Sequence, residues 1–340
     1  MDVYPISLSA IGPSIREQAA AGLAERRVFV CAVTPPDKRG FVTTMCVQWE
    51  NEAIDAADIV IFEVNPNMPR VPGFNQFHIS RASCWYEVEH AIPLLPPVEP
   101  TETERRIGAY VASLVEDGSC LQLGIGGIPN AAAMALMDKK DLGVHTELIT
   151  PTFVDLVEAG AVNCTRKQID RGKLVGAFVL GTQELYRFVD ENPMVLLQPS
   201  AYTNDPFIIA KNERVVSING ALQVDLSGQI ASEGIGSKPY SGQGGAFDFA
   251  YGARLSKGGK NIIALPSTAK KGTVSTIQPM LDQGAVVSIS RSVVDYIVTE
   301  YGIAPMRNRT VRERVENLIA VAHPDFRADL RKQAEALMLR

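Results

Sequence analysis

The stretch LQLGIGGIPNAAAMALMDKKDLGVHTELIT (residues 121–150) decides the fold. It opens with a short, mostly apolar run, passes through a glycine-rich turn into an alanine-rich segment, and ends in VHTELI (144–149), a second strand-like run with apolar residues at both ends. A strand, a helix and a strand in this order form a βαβ unit, whose right-handed crossover makes the two strands parallel. The sequence therefore predicts strands at 121–124 and 144–149, joined by a helix at 130–141.

The rest of the chain repeats this alternation. Further strands are predicted at 27–33, 57–64, 174–180, 215–218, 261–265, 285–289 and 296–299, and helices at 103–115, 311–322 and 326–337. A chain of 340 residues is longer than one hydrophobic core usually supports. We therefore expect an α/β fold of two similar domains with mostly parallel sheets, at residues 1–170 and 171–340.

Composition narrows the class of protein. The chain is 46% hydrophobic and 21% charged, with a net charge of −5, which is typical of a globular enzyme and argues against non-specific nucleic-acid binding. The five cysteines and four histidines are scattered, without the spacing of a metal site. We found no membrane span, secretory signal, GxSxG elbow or P-loop, so we expect no metal, no membrane and no nucleic-acid partner, and a cytoplasmic location.

Two glycine-rich turns are candidates for binding an anion. Gly124, Gly126 and Gly127 follow a predicted strand and precede a helix, where the backbone can approach a ligand closely. A tight turn without a ligand is the alternative. The second turn lies in SKPYSGQGGAFDFAYGARLSKGGKNIIALPSTAKKGTVS (237–275), whose lysines either hold phosphate groups or form a solvated surface.

Glu147 is the candidate catalytic carboxylate. The βαβ unit places the ends of its two strands on one rim of the sheet, where open α/β sheets bind ligands, so Glu147 should lie near the first glycine-rich turn. The alternative is a structural glutamate bonded to backbone amides. Glu233 and Glu300 are rival candidates.

Several long motifs resemble the acetyl-CoA hydrolase/transferase family, and among its members the 4-hydroxybutyrate CoA-transferases. The resemblance covers essentially the whole chain, and the motifs stand in the family's order. Besides residues 121–150, the motifs are TPPDKRG (34–40), VNPNMPR (64–70), VDLSGQIASEGIG (224–236), YSGQGGAFDFAYGARLSKGGKNIIALPSTA (240–269), YIVTEYGIA (296–304) and IAVAHPDFR (319–327).

This resemblance implies a CoA-transferase fold of the NagB/RpiA type, with the CoA site between two similar halves. The family's catalytic glutamate matches Glu147 in the HTE motif. The residues matching its CoA-binding positions are Gly124, Ile125, Gly126, Gly127, Ile128, Gly242, Gly244, Gly245 and Lys270. The implied partners are an acyl-CoA and a small carboxylic acid, with the chain in a homodimer or larger homo-oligomer.

The implied reaction moves CoA from a short-chain acyl-CoA, of 4-hydroxybutyryl, butyryl or acetyl type, to an acid such as acetate through a glutamyl-CoA thioester. An acyl-CoA hydrolase, or a truncated protein that binds CoA without turnover, are the alternatives. A nicotinamide-dependent oxidoreductase is a further alternative, and only the first glycine-rich turn supports it. The chain departs from the family at Ile149-Thr150-Pro151-Thr152, which leaves the acceptor open, and the resemblance implies a family N-terminal segment that has no counterpart in these residues. We therefore expect an open edge in its first sheet.

Overall fold

The computed structural model describes residues 3–96 and 98–339, so the outermost ends of the two predicted domains lie outside the described residues. The helices are α1 (Leu8–Ala20), α2 (Glu50–Ala56), α3 (Glu102–Ser113), α4 (Gly127–Met134), α5 (Pro151–Glu158), α6 (Gln183–Val189), α7 (Ser200–Thr203), α8 (Pro206–Ile209), α9 (Ala246–Leu255), α10 (Val311–Val321) and α11 (Pro324–Ala336), with one 3-10 turn (Ile79–Arg81).

The strands are mostly short. They are β1 (Val28–Val33), β2 (Phe41–Thr43), β3 (Ile59–Val64), β4 (Gln76–His78), β5 (Cys84–Glu87), β6 (Cys120–Leu123), β7 (Gly143–Val144), β8 (Leu148–Ile149), β9 (Leu174–Gly176), β10 (Phe178–Val179), β11 (Val195–Leu197), β12 (Val215–Gly220), β13 (Gln223–Asp225), β14 (Ile230–Ala231), β15 (Gly234–Ile235), β16 (Lys238–Pro239), β17 (Lys260–Ala264), β18 (Thr268–Ala269), β19 (Val274–Ser275), β20 (Ile277–Gln278), β21 (Tyr296–Thr299) and β22 (Gly302–Pro305).

A six-stranded sheet in the order β22-β21-β17-β12-β6-β7 organises the fold. All its pairings are parallel except that of β21 with β22. Strands β6, β12 and β17 are buried over most of their length, polar residues included, as expected for a parallel sheet covered on both faces. The sheet has a main core on its α3–α4–α5 side and a second core beneath α10 and α11.

A separate three-stranded parallel sheet, β1-β3-β5, carries its own small core. Phe62 in its central strand is fully buried against side chains of α2, β2 and β4. This sheet therefore has its own core and does not extend the six-stranded sheet.

The mixed α/β architecture with mostly parallel sheets is confirmed, and so is the βαβ unit of β6, α4 and β7. The division of the chain at residue 170 stays a prediction; the six-stranded sheet takes strands from both sides of it.

Four local predictions were wrong. The strand expected at 174–180 is divided in two, because β9 pairs with β11 while β10 pairs with β8 in another sheet. The helix expected at 130–141 is α4, which begins earlier, at Gly127, and gives way after Met134 to tighter turns, as Leu136 N donates to Ala133 O. The strand expected at 285–289 is absent from the described chain: the run follows Gly284, whose φ is +83°, its valines are exposed, and only Ile289 makes a β-bridge.

The strand expected at 144–149 is divided in two. β7 pairs with β6, and β8 pairs with β10 in another sheet. Between them the backbone changes partners: His145 N donates to Leu121 O, Thr146 N donates to Val175 O, and Glu147 O accepts from Ala177 N. Glu147 therefore lies where the chain crosses from one sheet to the next.

Candidate active site

A cavity of about 280 Å³ opens at the carboxyl ends of β6 and β12. This is the rim at which parallel α/β sheets bind ligands. Its lining comes from the ends of β6 and β12, the β8 and β10 strands and the turn before α9: Gln122, Leu123, Gly124, Ile125, Glu147, Leu148, Phe178, Asn219, Gly220, Gln243, Gly244, Gly245 and Ala246. Both glycine-rich turns and Glu147 thus meet in one cavity.

One hydrogen bond holds the Glu147 carboxylate at the cavity wall. Asn204 Nδ2 donates to Glu147 Oε2 at 3.0 Å, and the backbone of Gly245 lies so close to the same oxygen that an added Cβ would overlap it. Burial raises the pKa of Glu147, and the nearby Asp248 raises it further, while Asn204 and the Gly245 backbone oppose the rise. The net upward shift of the pKa shows that these contacts only partly replace the hydration that the carboxylate loses on burial.

The Asn204 side chain is itself fixed in orientation. Thr203 Oγ1 donates to Asn204 Oδ1 at 2.8 Å, so the amide NH₂ must face Glu147. The fully buried His145 bonds the carbonyl of Thr203 through Nε2 at 2.9 Å. Burial, with a contribution from Lys167, lowers the pKa of His145 to about 3, so this ring is a neutral donor. The HTE motif therefore supplies both the carboxylate and a support for its hydrogen-bond partner.

A buried polar cluster forms the wall of the cavity between β6 and β12. Ser217 Oγ and Asn219 Nδ2 donate to Gln122 Oε1 at 2.7 and 3.1 Å, and Gln122 Nε2 donates to Asn219 Oδ1 at 3.2 Å. Each of these buried polar side chains has a hydrogen-bond partner in the cluster. The wall is therefore polar and rigid, and burial of these side chains carries little energetic penalty.

The predicted site residues divide into two groups. Glu147, Gly124, Ile125, Gly244 and Gly245 line the cavity. The others lie outside its lining in the described residues: Gly126 precedes α4 with φ of +116°, Gly127 packs on the Glu104 side chain, Ile128 is buried in the main core, Gly242 faces open space, and Lys270 is exposed at the tip of the β18–β19 hairpin.

The rival carboxylates have other surroundings. Glu300 is buried and accepts hydrogen bonds from Ser267 N at 2.8 Å and Ser267 Oγ at 2.6 Å, an arrangement that ties two loops together. Glu233 lines a different cavity, with Gly234 and Lys238. Neither lies in the wall of the cavity that holds Glu147.

Sequence reasoning missed Asn204 and Asn219. Asn204 lies in a stretch rich in Pro, Asn and Asp that predicts only connecting structure, and nothing local in the sequence distinguishes it from its polar neighbours. Asn219 had a usable signal, since it is a polar residue at the carboxyl end of an apolar strand, where ligands bind.

Searches for two other features gave negative results. Residues 3–96 and 98–339 contain no group of three or more His, Cys, Asp or Glu side chains arranged to hold a metal ion. In the same part of the chain, no helix has the length and apolar character needed to cross a membrane.

Comparison with known proteins identifies relatives along most of the chain. The succinyl-CoA:cyclohexane-1-carboxylate CoA transferase of Geobacter metallireducens is 48% identical over 90% of this chain and 70% of its own length. The 4-hydroxybutyrate coenzyme A transferase of Clostridium kluyveri is 48% identical over 89% of this chain and 71% of its own. An acetyl-CoA hydrolase of Kluyveromyces lactis is more distant, at 33% identity over 67% of this chain and 42% of its own.

Solved structures of similar proteins match the fold of nearly the whole chain. RipA of Yersinia pestis superimposes with a TM-score of 0.93 at 38% identity, covering 99% of this chain and 76% of RipA. The 4-hydroxybutyrate CoA-transferase of Porphyromonas gingivalis gives a TM-score of 0.86 at 39% identity, covering 97% of this chain and 79% of its own. The family model for the acetyl-CoA hydrolase/transferase C-terminal domain matches residues 181–334. The chain belongs to the acetyl-CoA hydrolase/transferase family.

Proposed function

We propose that the chain is a CoA-transferase that moves CoA from a short-chain acyl-CoA to a small carboxylic acid, with Glu147 as the covalent catalyst. The observation that carries this proposal is the convergence of Glu147 and both glycine-rich turns on one cavity. The relatives at 48% identity are named CoA-transferases, which favours transfer over hydrolysis.

The first half of the reaction makes a glutamyl-CoA thioester. A carboxylate oxygen of Glu147 attacks the thioester carbonyl carbon, the C–S bond breaks, and CoA leaves as its thiolate with an acyl-glutamyl anhydride left on the protein. The thiolate then attacks the Glu147 carbonyl carbon of this anhydride. The donor acid departs as a carboxylate, and CoA is now bonded to Glu147.

The second half reverses these steps with a new acid. The incoming carboxylate attacks the glutamyl thioester, the released thiolate attacks the acyl carbonyl of the new anhydride, and the free Glu147 carboxylate is regenerated. No general base is required, because both acids react as carboxylates and CoA reacts as a thiolate.

Two groups beside Glu147 have a clear task in this reaction. In the anhydride an acyl group is bonded to one Glu147 oxygen, and in the thioester the CoA sulfur has replaced one oxygen; in both, the remaining oxygen is the carbonyl that becomes an oxyanion on attack. Asn204 Nδ2 bonds Glu147 and the backbone of Gly245 lies beside it, so both could stabilise that oxyanion. Such a donor is typically worth about 2.7–4 kcal/mol of transition-state stabilisation.

The cysteines bear on where the protein works. All five are free thiols, which favours the predicted cytoplasmic location. Homo-oligomerisation and the role of Lys270 in holding CoA phosphates stay predictions.

The decisive experiment traps the thioester. The protein is incubated with butyryl-CoA, reduced with borohydride and digested, and we expect the Glu147 peptide to carry the mass change of a reduced thioester. A parallel assay with and without acetate separates the two activities: a transferase forms acetyl-CoA, whereas a hydrolase releases free CoA at a rate that does not depend on acetate. Unmodified Glu147 in a protein that still turns over butyryl-CoA would refute the mechanism.

A further inference from the structure

A second cavity, of about 530 Å³, opens at the amino ends of β6 and β12. Gly118 lies just before β6 and Arg214 just before β12, so this cavity is at the rim of the six-stranded sheet opposite to the one that holds Glu147. We call it the arginine cavity. Apart from Gly118, every residue of its lining is polar or charged: Thr165, Arg166, Lys167, Gln168, Arg171, Glu213 and Arg214. Its volume is typical of a site for a small molecule.

The arginine cavity carries a positive charge in a chain whose net charge is −5. Three arginines and one lysine line it, against a single carboxylate, that of Glu213. The Glu213 carboxylate is turned to Lys257, whose Nζ lies 3.0 Å from its Oε1, so a lysine outside the cavity neutralises it. Because cations gathered in one place repel each other, an anion bound among them is favoured.

Two of the arginines are held at the same turn, although they come from distant parts of the chain. Arg214 Nη1 donates to Asp117 O at 3.0 Å. The Arg166 side chain lies across the next residue, Gly118, where an added Cβ would come within 2.9 Å of its Cδ. Arg166 also pairs with Asp141 at 2.8 Å, which fixes its guanidinium group. These contacts place both guanidinium groups before a ligand arrives, which lowers the entropic cost of binding.

Arg171 and the backbone of Arg214 have a second property that points to a ligand. In residues 3–96 and 98–339 the exposed Arg171 side chain makes no hydrogen bond or ion pair, so all of its donors are available. Arg214 has φ of +52°, in the left-handed region where a long side chain is disfavoured. Residues held in such a conformation are concentrated at functional sites.

We propose that the arginine cavity binds a small anion that carries phosphate groups. Guanidinium groups bind phosphate oxygens through paired, charge-assisted hydrogen bonds, and three of them line this cavity. The ligand is distinct from the acyl-CoA of the proposed reaction, because the arginine cavity and the Glu147 cavity lie at opposite rims of the sheet. By bridging Arg166 and Arg171, in the loop before β9, to Arg214, before β12, it also ties this loop to the sheet.

Calorimetry of the purified chain with inorganic pyrophosphate tests the proposal. We expect one pyrophosphate per chain, bound more weakly at high salt, and a melting temperature that rises with its concentration. Arg171→Ala and Arg214→Gly should each weaken binding by about tenfold. Both should fold as the parent does, because Arg171 has no partner to lose and glycine suits the φ of Arg214.

Arg312→Ala is the matched control. Arg312 is an exposed arginine on α10, outside the arginine cavity, and within the described residues its side chain likewise makes no hydrogen bond or ion pair. Its replacement should leave pyrophosphate affinity unchanged. Absence of binding to the parent chain would overturn the proposal, and so would equal affinity in the parent and all three variants.

Two further titrations test the class of ligand and the separation of the sites. Succinate that binds more tightly than pyrophosphate would make the ligand a carboxylate and overturn the assignment to phosphate. Coenzyme A should bind the Arg171→Ala protein as it binds the parent, and a loss of its affinity would place these arginines in the CoA site. None of these readouts needs turnover, so they are independent of the test of Glu147.

Discussion

Replacing Gly245 by alanine isolates the contact between the turn before α9 and the Glu147 carboxylate, the proposed catalyst. Gly245 has φ of −96° and ψ of 5°, a conformation open to any L-residue, so alanine introduces no backbone strain. Its methyl group, however, would point at Glu147 Oε2 and Asn204 Nδ2, well inside the 3.0 Å that real Cβ atoms respect. The carboxylate and the amide must both move to make room.

The size of the effect follows from that displacement. Moving a reacting group by about 1 Å costs on the order of 100-fold in rate, and loss of an oxyanion donor costs about as much again. We expect Gly245→Ala to lower kcat for butyryl-CoA and acetate by about 100-fold or more. The melting temperature should change little, because the methyl group enters a cavity wall rather than the core.

Gly242→Ala is the matched control for this experiment. It lies three residues earlier in the same turn, and an added Cβ there would meet nothing within 4 Å. Steady-state kinetics of the two variants, with their melting curves, decides the question. A Gly245→Ala protein with kcat close to that of Gly242→Ala would refute the placement of the reacting carboxylate beside this turn.

Three further outcomes are expected. Burial raises the pKa of Glu147, and only its ionised carboxylate attacks, so kcat/KM should fall towards low pH with a midpoint above 4.5, the ordinary value of a glutamate. A midpoint at or below 4.5 would argue against Glu147 as the attacking group. Asn204→Ala should lower kcat by about 100-fold while CoA affinity in calorimetry is retained; equal loss of both would indicate a structural role. Gly126→Val, which strains a backbone φ of +116°, should weaken CoA binding. Lys270→Ala should also weaken it, and most at low salt. If either variant binds CoA as the parent does, the residue replaced in that variant does not belong to the CoA site.

The sequence predicted the parts of the site that follow from local rules. A strand running into a glycine-rich turn predicts a ligand-binding rim, and Glu147 was placed beside that rim by the handedness of a βαβ crossover. The second glycine-rich turn was a candidate on its residues alone, and the family resemblance matched its Gly244 and Gly245 to CoA-binding positions. The structure brings these elements together in one cavity.

What escaped prediction depends on contacts between distant segments. Asn204 reaches Glu147 from 57 positions away, so no local pattern shows that its amide is buried and oriented. The segment at 144–149 contains no glycine or proline that would mark a break, and only the choice of partners, β6 for one end and β10 for the other, divides it. Residues 285–289 have the composition of a strand, yet exposed valines there show that composition does not determine burial.

The pairing of β6 with β12 also determines when the cavity can form. Gln122 and Asn219, which bond across these strands, are 97 positions apart in the chain. A fold whose central pairings join residues this distant has a high contact order, and such folds form slowly because a long loop must close first. During synthesis the strand that precedes the first glycine-rich turn must wait for its partner to leave the ribosome, and Glu147 has neither Asn204 nor Gly245 beside it until then. The proposed nucleophile therefore acquires the neighbours that would stabilise its oxyanion only at a late stage of folding.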